Sequence, residues 1–320
     1  MSLIKKALGT SKVGHTGTLD SFAEGLMVVL TGSLTRLAPY ITATEKKYLA
    51  VVKFGSETDT LELSGKVVAT APLPRVEQIE AVLKDFCGKI QQVPPLYSAI
   101  HIEGRRASDV VRSGATLNIP SRQVEVFSLE ILDYLEEGYG LFQVHCSKGT
   151  YIRSLARDIA NALGSKAHLV ALRRTAVGNF NIDDAIGIQR LGDFSVSSRG
   201  IPDIPVAEKP FYAEIKNPFE QDLLAEIEGG LKPFLPNVTS SCGLGTLYLN
   251  PERQKDFQNG KPLQKEWFVP VADETHSLAF DTYDEYAVFL PDKTFLGVVK
   301  TQQNRMKYGF VIPSEACFGK

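Results

Sequence analysis

Val13-Gly14-His15-Thr16-Gly17-Thr18-Leu19-Asp20-Ser21-Phe22-Ala23-Glu24-Gly25-Leu26 delivers a single carboxylate, Asp20, on a stretch rich in glycine and threonine. Glycine permits backbone conformations and close approaches that other residues forbid. Gly14 and Gly17 therefore predict a tight loop in which backbone groups and Asp20 face a bound partner. An ordinary strand-to-strand turn with a solvated aspartate has the same spacing, and spacing alone leaves both readings open. The sequence offers no metal-ligand cluster and no nucleotide-binding glycine motif.

Five further segments follow the loop in order. Lys46-Lys47-Tyr48 runs into Leu49-Ala50-Val51-Val52, and Gly55-Ser56-Glu57-Thr58-Asp59-Thr60 is followed by Ser64-Gly65. Gln92-Val93-Pro94-Pro95-Leu96-Tyr97-Ser98-Ala99 precedes Gly104-Arg105. Ser147-Lys148-Gly149-Thr150-Tyr151-Ile152-Arg153-Ser154-Leu155 with Asp158-Ile159, and then Leu172-Arg173-Arg174-Thr175, complete the series. Together, over about Ile4 to Ile188, the ordered set resembles the TruB family of tRNA pseudouridine synthases.

The resemblance implies roles. Asp20 is the catalytic carboxylate, nucleophile or base, and must stay ionised at neutral pH. Arg153 is the guanidinium that lowers its pKa and fixes its rotamer. Tyr48 stacks on the isolated base and places its hydroxyl for a later proton transfer. His15 occupies the space the everted base vacates, and Tyr151 and Leu172 line the pocket. Each has a plainer alternative: Tyr48 a strand-face aromatic, His15 a turn histidine, Leu172 core, Tyr151 an N-terminal helix residue. The expected activity is isomerisation of the T-loop uridine of tRNA (tRNA position 55) by a monomer with neither metal nor cofactor. The alternative is a non-catalytic tRNA-binding or RNA-folding protein on the same scaffold.

Composition is compatible with this reading. The chain has 320 residues, a hydrophobic fraction of 43% and a net charge of −2, which argues against a generic basic nucleic-acid binder. Residues 1–200 carry +3 and residues 201–320 carry −5, so an RNA site must be a local patch. The candidates are Lys5, Lys6 and Lys12, Lys46 and Lys47, Arg105 and Arg106, and Arg173 and Arg174. The four cysteines, Cys87, Cys146, Cys242 and Cys317, form no CxxC pair and read as small buried hydrophobes. No apolar run approaches membrane-spanning length and no signal-peptide pattern opens the chain, so a reduced, cytoplasmic protein is expected.

The elements that must position these residues follow from periodicity. Leu26–Leu30 and Tyr48–Phe54 read as strands, the second with Tyr48, Ala50, Val52 and Phe54 on one face. Pro74 opens a helix carrying Val76, Ile79, Leu83 and Phe86, with Gly88 at its C-cap. Val124–Leu129 and Leu141–Cys146 pair around Glu136-Glu137-Gly138. A helix from about Tyr151 to Leu163 ends at Gly164 and carries Arg153 in its first turn. The helix dipole disfavours a cation there, so a compensating anion such as Asp20 is expected. Residues 194–246 read as a connector or insertion with a short helix near Glu220–Ile227. Asn250 caps a helix opened by Pro251 and closed at Gly260, and strands follow around Trp267–Val271, Tyr286–Leu290, Phe295–Lys300 and Tyr308–Ile312.

The expected class is α+β: a pseudouridine synthase fold with a mixed, largely antiparallel sheet over residues 1–193, and a small PUA-like β domain over 247–320. Several departures from the family pattern accompany it. Met1 to Lys6 aligns with the end of a helix, and the family's Lys-Pro-x-Gly-x-Thr-Ser segment, with its strand, is expected to be missing. Ser21 stands for a common proline, and Glu24 for a small residue, where an inward carboxylate would raise the pKa of Asp20. Ala107-Ser108-Asp109 replaces a usual aromatic.

Overall fold

Alternation in Lys46–Phe54 builds the centre of the protein. In the computed structural model, which describes residues 1–98, 101–102, 105–106, 119–199, 220–269, 283–302 and 305–313, this strand lies between Ala167–Val177 and Tyr139–Cys146, antiparallel to both. Arg122–Tyr134 and Gly88–Gln92 extend the sheet on one side, and Phe180–Asn181 on the other. Glu24–Gly25 joins in parallel, against Arg173 and Arg174. The sheet is therefore mixed and largely antiparallel, as expected.

The period of two sorts the central strand as read from sequence. Tyr48, Ala50, Val52 and Phe54 pack in the main core, while Leu49 and Val51 join a second cluster with Leu141, Val196 and Phe194 on the other face. Two helices cover the main core, Val76–Leu83 through Ile79 and Leu83, and Ile152–Ala162 through Ile152, Leu155 and Ile159. The second is preceded by Tyr151 and followed by Gly164 at φ +66°.

Other expectations need correction. Leu26–Leu30 is not one strand. Glu24–Gly25 and Val29–Thr31 pair with different partners, and Leu26 to Val28 make the passage between them. Gly14 lies inside the Val13–His15 strand, so the tight loop begins at Gly17, whose φ is +97°. Gly88 caps no helix. Lys84–Phe86 tightens into a 3-10 turn, and Gly88 opens the edge strand Gly88–Gln92. Cys146 and Cys242 are buried, but Cys87 is exposed.

The C-terminal β domain is a five-stranded sheet in the order Phe268–Val269, Gly245–Leu249, Glu285–Phe289, Phe295–Gln302, Arg305–Val311. Asn250 accepts a hydrogen bond from the Glu252 N–H and caps the 3-10 turn opened by Pro251, which continues into Gln254–Gln258. A third cluster welds this sheet to the first domain: Leu26, Leu37, Ile41 and Val177 pack with Leu244, Ala287, Phe289 and Val298. The short helix Glu220–Gly229 packs on Ser2–Ala7. Gly104, Ala107-Ser108-Asp109 and Cys317, together with the Arg105 and Arg106 side chains, lie outside the described residues.

Candidate active site

Asp20 emerges from the loop between Gly17 and Gly25, and its carboxylate Oδ1 accepts a 2.9 Å hydrogen bond from Nη2 of Arg153. The side chains differ in exposure, 4% for Arg153 and 32% for Asp20, so the pair opens to solvent only through the carboxylate. Arg153 also donates to the carbonyls of Thr60 (Nη1, 3.0 Å) and Tyr97 (Nη2, 3.0 Å). A cation in the first turn of a helix works against the dipole, and here it meets two carboxylates, Asp20 and Glu62, the latter with Oε2 at 3.9 Å from Nη1. Burial pushes the Glu62 carboxyl above its ordinary range, opposed by Ser64 and Arg153.

The start of that helix is itself held. Buried Gln92 accepts from the Tyr151 N–H at 2.8 Å and donates to the Tyr151 carbonyl at 3.1 Å. Ser154 donates to the Val93 carbonyl at 2.8 Å. The Tyr151 ring lies under the Arg122 guanidinium, 4.8 Å from its centroid.

Tyr48 stands directly across the sheet from Arg174, so the phenol and that guanidinium share one face and interact electrostatically. Burial pushes the phenol up to about 12; the Cys146 thiol and Asp20 add to this and Arg174 opposes it. The phenol is therefore neutral at neutral pH. Leu172, two residues before Arg174, pairs with Ala50 on the same face and is buried in the main core. His15 ends the Val13–His15 strand opposite Val29, and its Nδ1 is buried with no hydrogen-bond partner among the described residues.

The structure thus pairs Asp20 with Arg153 and sets Tyr48 opposite Arg174, with Leu172 beside Tyr48 and Tyr151 at the head of the Arg153 helix. It also changes three readings. Arg174, taken as a surface cation for phosphate, is 2% exposed. Arg173 points to the opposite face, where Nε donates to Glu24 Oε1 at 2.8 Å, Nη2 to the Gly192 carbonyl at 2.7 Å, and the guanidinium stacks on Phe194. Glu24 accordingly engages Arg173 and does not point at Asp20. Lys46 is buried too, its Nζ donating to the carbonyls of Thr42 and Thr44. Lys5, Lys12 and Lys47 remain exposed.

Arg174, Glu62 and Gln92 were not singled out individually. The available signal for Arg174 was its parity: it shares the inward face of its strand with Leu172, and a charge at a core-facing position demands partners.

Residues 5–152 match the model described as TruB family pseudouridylate synthase (N terminal domain), and residues 153–200 match the tRNA pseudouridylate synthase B C-terminal domain. A Treponema denticola protein named tRNA pseudouridine synthase B is 40% identical over 98% of this chain and 93% of its own length. A Borreliella burgdorferi protein of the same name is 44% identical over 61% of this chain and 70% of its own. Among solved structures, the crystal structure of a Cbf5-Nop10-Gar1 complex superposes with a TM-score of 0.64 at 22% identity, over 99% of this chain and 81% of that one. That likeness establishes the fold, a pseudouridine synthase core with a small C-terminal PUA-like β domain.

Proposed function

This chain belongs to the TruB family of pseudouridylate synthases, and from that premise we propose that it isomerises the T-loop uridine of tRNA (tRNA position 55) to pseudouridine, as a cytoplasmic monomer. The bond between uracil N1 and ribose C1′ breaks, the base turns, and C5 bonds to C1′. A proton leaves C5 and one is taken up at N1, so the reaction balances without oxidant or co-reactant.

The observation that carries this reading is the 2.9 Å contact between Asp20 and Arg153, formed at a carboxylate that still reaches solvent. A guanidinium at this distance fixes the orientation of the carboxylate, which supports Asp20 as nucleophile or base. Tyr48 stacks on the everted uracil, and its hydroxyl, on the face it shares with Arg174, serves the later proton transfer. Eversion from a folded RNA loop costs a few kcal/mol; His15 fills the vacated space while Tyr151 and Leu172 bound the pocket. The names of the relatives support tRNA as the RNA.

The test is tritium release from uracil C5 of labelled tRNA, beside a filter-binding titration. Asp20→Asn keeps size and hydrogen bonding but removes the charge. It should abolish release while tRNA binding stays within about tenfold, roughly 1.4 kcal/mol. Substantial release by the variant overturns the role of Asp20. A parent protein that binds tRNA but releases no tritium establishes the non-catalytic alternative.

A further inference from the structure

Arg174 does more than fill the core. Its Nε donates to the Leu26 carbonyl at 2.8 Å and its Nη2 lies 3.4 Å from the Gly17 carbonyl. Those two carbonyls are the two ends of the loop that carries Asp20. Its backbone carbonyl accepts the Leu26 N–H at 2.8 Å, and Gly25 approaches so closely that a Cβ there would lie 2.4 Å from that oxygen. The same side chain shares its face of the sheet with Tyr48, its direct cross-strand partner. The strand register shifts just beyond it, between Arg174 and Ala176, a local irregularity of the kind that re-aims side chains beside active sites.

A buried cation is costly, and removing its partners more so. Among the described residues Arg174 makes no ion pair; its hydrogen-bond acceptors are two carbonyls, and the phenol across the sheet is neutral as well. A hydrophobic residue would fill the space without that cost, whereas a planar fork of several donors spans both ends of the loop while facing Tyr48.

We propose that Arg174 is a positioning residue, which locks both ends of the Asp20 loop into one geometry against Tyr48 before RNA arrives. The inference rests on the catalytic reading above. It differs from the Asp20–Arg153 contact in acting on the frame of the loop, not on the carboxylate.

The experiment uses single-turnover tritium release from tRNA, at a temperature where each variant is folded by circular dichroism. The parent and Asp20→Asn are run alongside, so failure of the catalytic reading shows as an inactive parent. Arg174→Lys keeps the charge but not the fork. It should lower the single-turnover rate by about ten- to a hundredfold, the cost of misplacement on the ångström scale, with tRNA affinity within threefold of the parent. In a Tyr48→Phe background the same substitution should cost less, because the hydroxyl on the face shared with Arg174 is already gone. If Arg174→Lys does not fold, Arg174→Gln, which buries no charge, takes its place in the same cycle. A folded variant at the parent's rate, or a loss that is fully additive with Tyr48→Phe, overturns the proposal. Unfolding of both variants also overturns it, making Arg174 a residue of the fold alone.

Discussion

Arg153 and Asp20 lie 133 residues apart in sequence and meet at 2.9 Å. Breaking this pair by Arg153→Met strands the carboxylate and leaves the Thr60 and Tyr97 carbonyls without their donor. Loss of one partner of a fully buried pair costs about 3–5 kcal/mol. Asp20 is partly hydrated, so we expect about 2–3 kcal/mol, measured by urea unfolding with m unchanged. A midpoint equal to the parent's would show that the contact contributes nothing.

Gly25 and Gly14 should respond differently to alanine. Gly25 sits at φ +108°, with the Arg174 carbonyl 2.4 Å from where a Cβ would stand, so Gly25→Ala should cost on the order of 3 kcal/mol. At Gly14 the nearest atom is the Thr35 methyl at 3.4 Å, and the cost should stay within about 1 kcal/mol. Thermal unfolding of both variants decides; equal shifts would refute the assignment of strain to Gly25.

Tyr48→Phe removes the hydroxyl on the face shared with Arg174. Its loss should cost about 1 kcal/mol or less by chemical denaturation. Tritium release should fall on the order of a hundredfold. Parent-like turnover would remove the hydroxyl from the chemistry.

Stability above pH 8 is set by opposing groups. Lys46, chiefly through burial, is lowered to about 8, so its charged form is penalised in the folded state and released as pH rises from about 8 to 10.5. There the unfolded chain binds more protons, and stability gains with pH. Burial pushes the Cys146 and Cys242 thiols up to about 12. Their contribution is complete below the ordinary 9.0 and is lost as pH climbs towards 12. Urea midpoints should therefore hold or rise slightly from pH 8 to 9 and fall beyond. Lys46→Met should erase the rise and Cys146→Ala should make the fall shallower between about pH 9 and 10, above which the raised phenols of Tyr40, Tyr48 and Tyr308 add to it; pH-independent midpoints in the parent would contradict both assignments.

Affinity for tRNA should decline with salt at a slope set by few phosphates. Lys47 is an exposed residue of the strand that carries Tyr48, and Lys47→Ala should reduce the slope of log K against log salt by about 1. Arg173, already engaged by Glu24, should change it less on replacement by alanine. Equal effects at the two positions would restore Arg173 to the surface patch.

What the chain declares by itself is local. The period of two in Lys46–Phe54, the Asn250-Pro251 helix start, Gly164 after the Arg153 helix and the turn at Gly138 depend on neighbours along the sequence, where sterics and hydrogen bonding act over a few residues. The ordered motifs also named Asp20, Tyr48 and Arg153, and the cost of a cation in a first helical turn called for an anion. Which lysines and arginines reach water was not legible. Arg173 and Arg174 are adjacent and chemically identical, yet one turns to Glu24 and the other to Tyr48, Gly17 and Leu26. Lys46 and Lys47 divide in the same way, one buried against carbonyls and the other exposed. A strand sends successive side chains to opposite faces, and only the packed structure determines which face is core and which acceptors wait there. The partners come from segments about 150 residues away, so their positions exist only once the sheet, the loop and the helix have assembled.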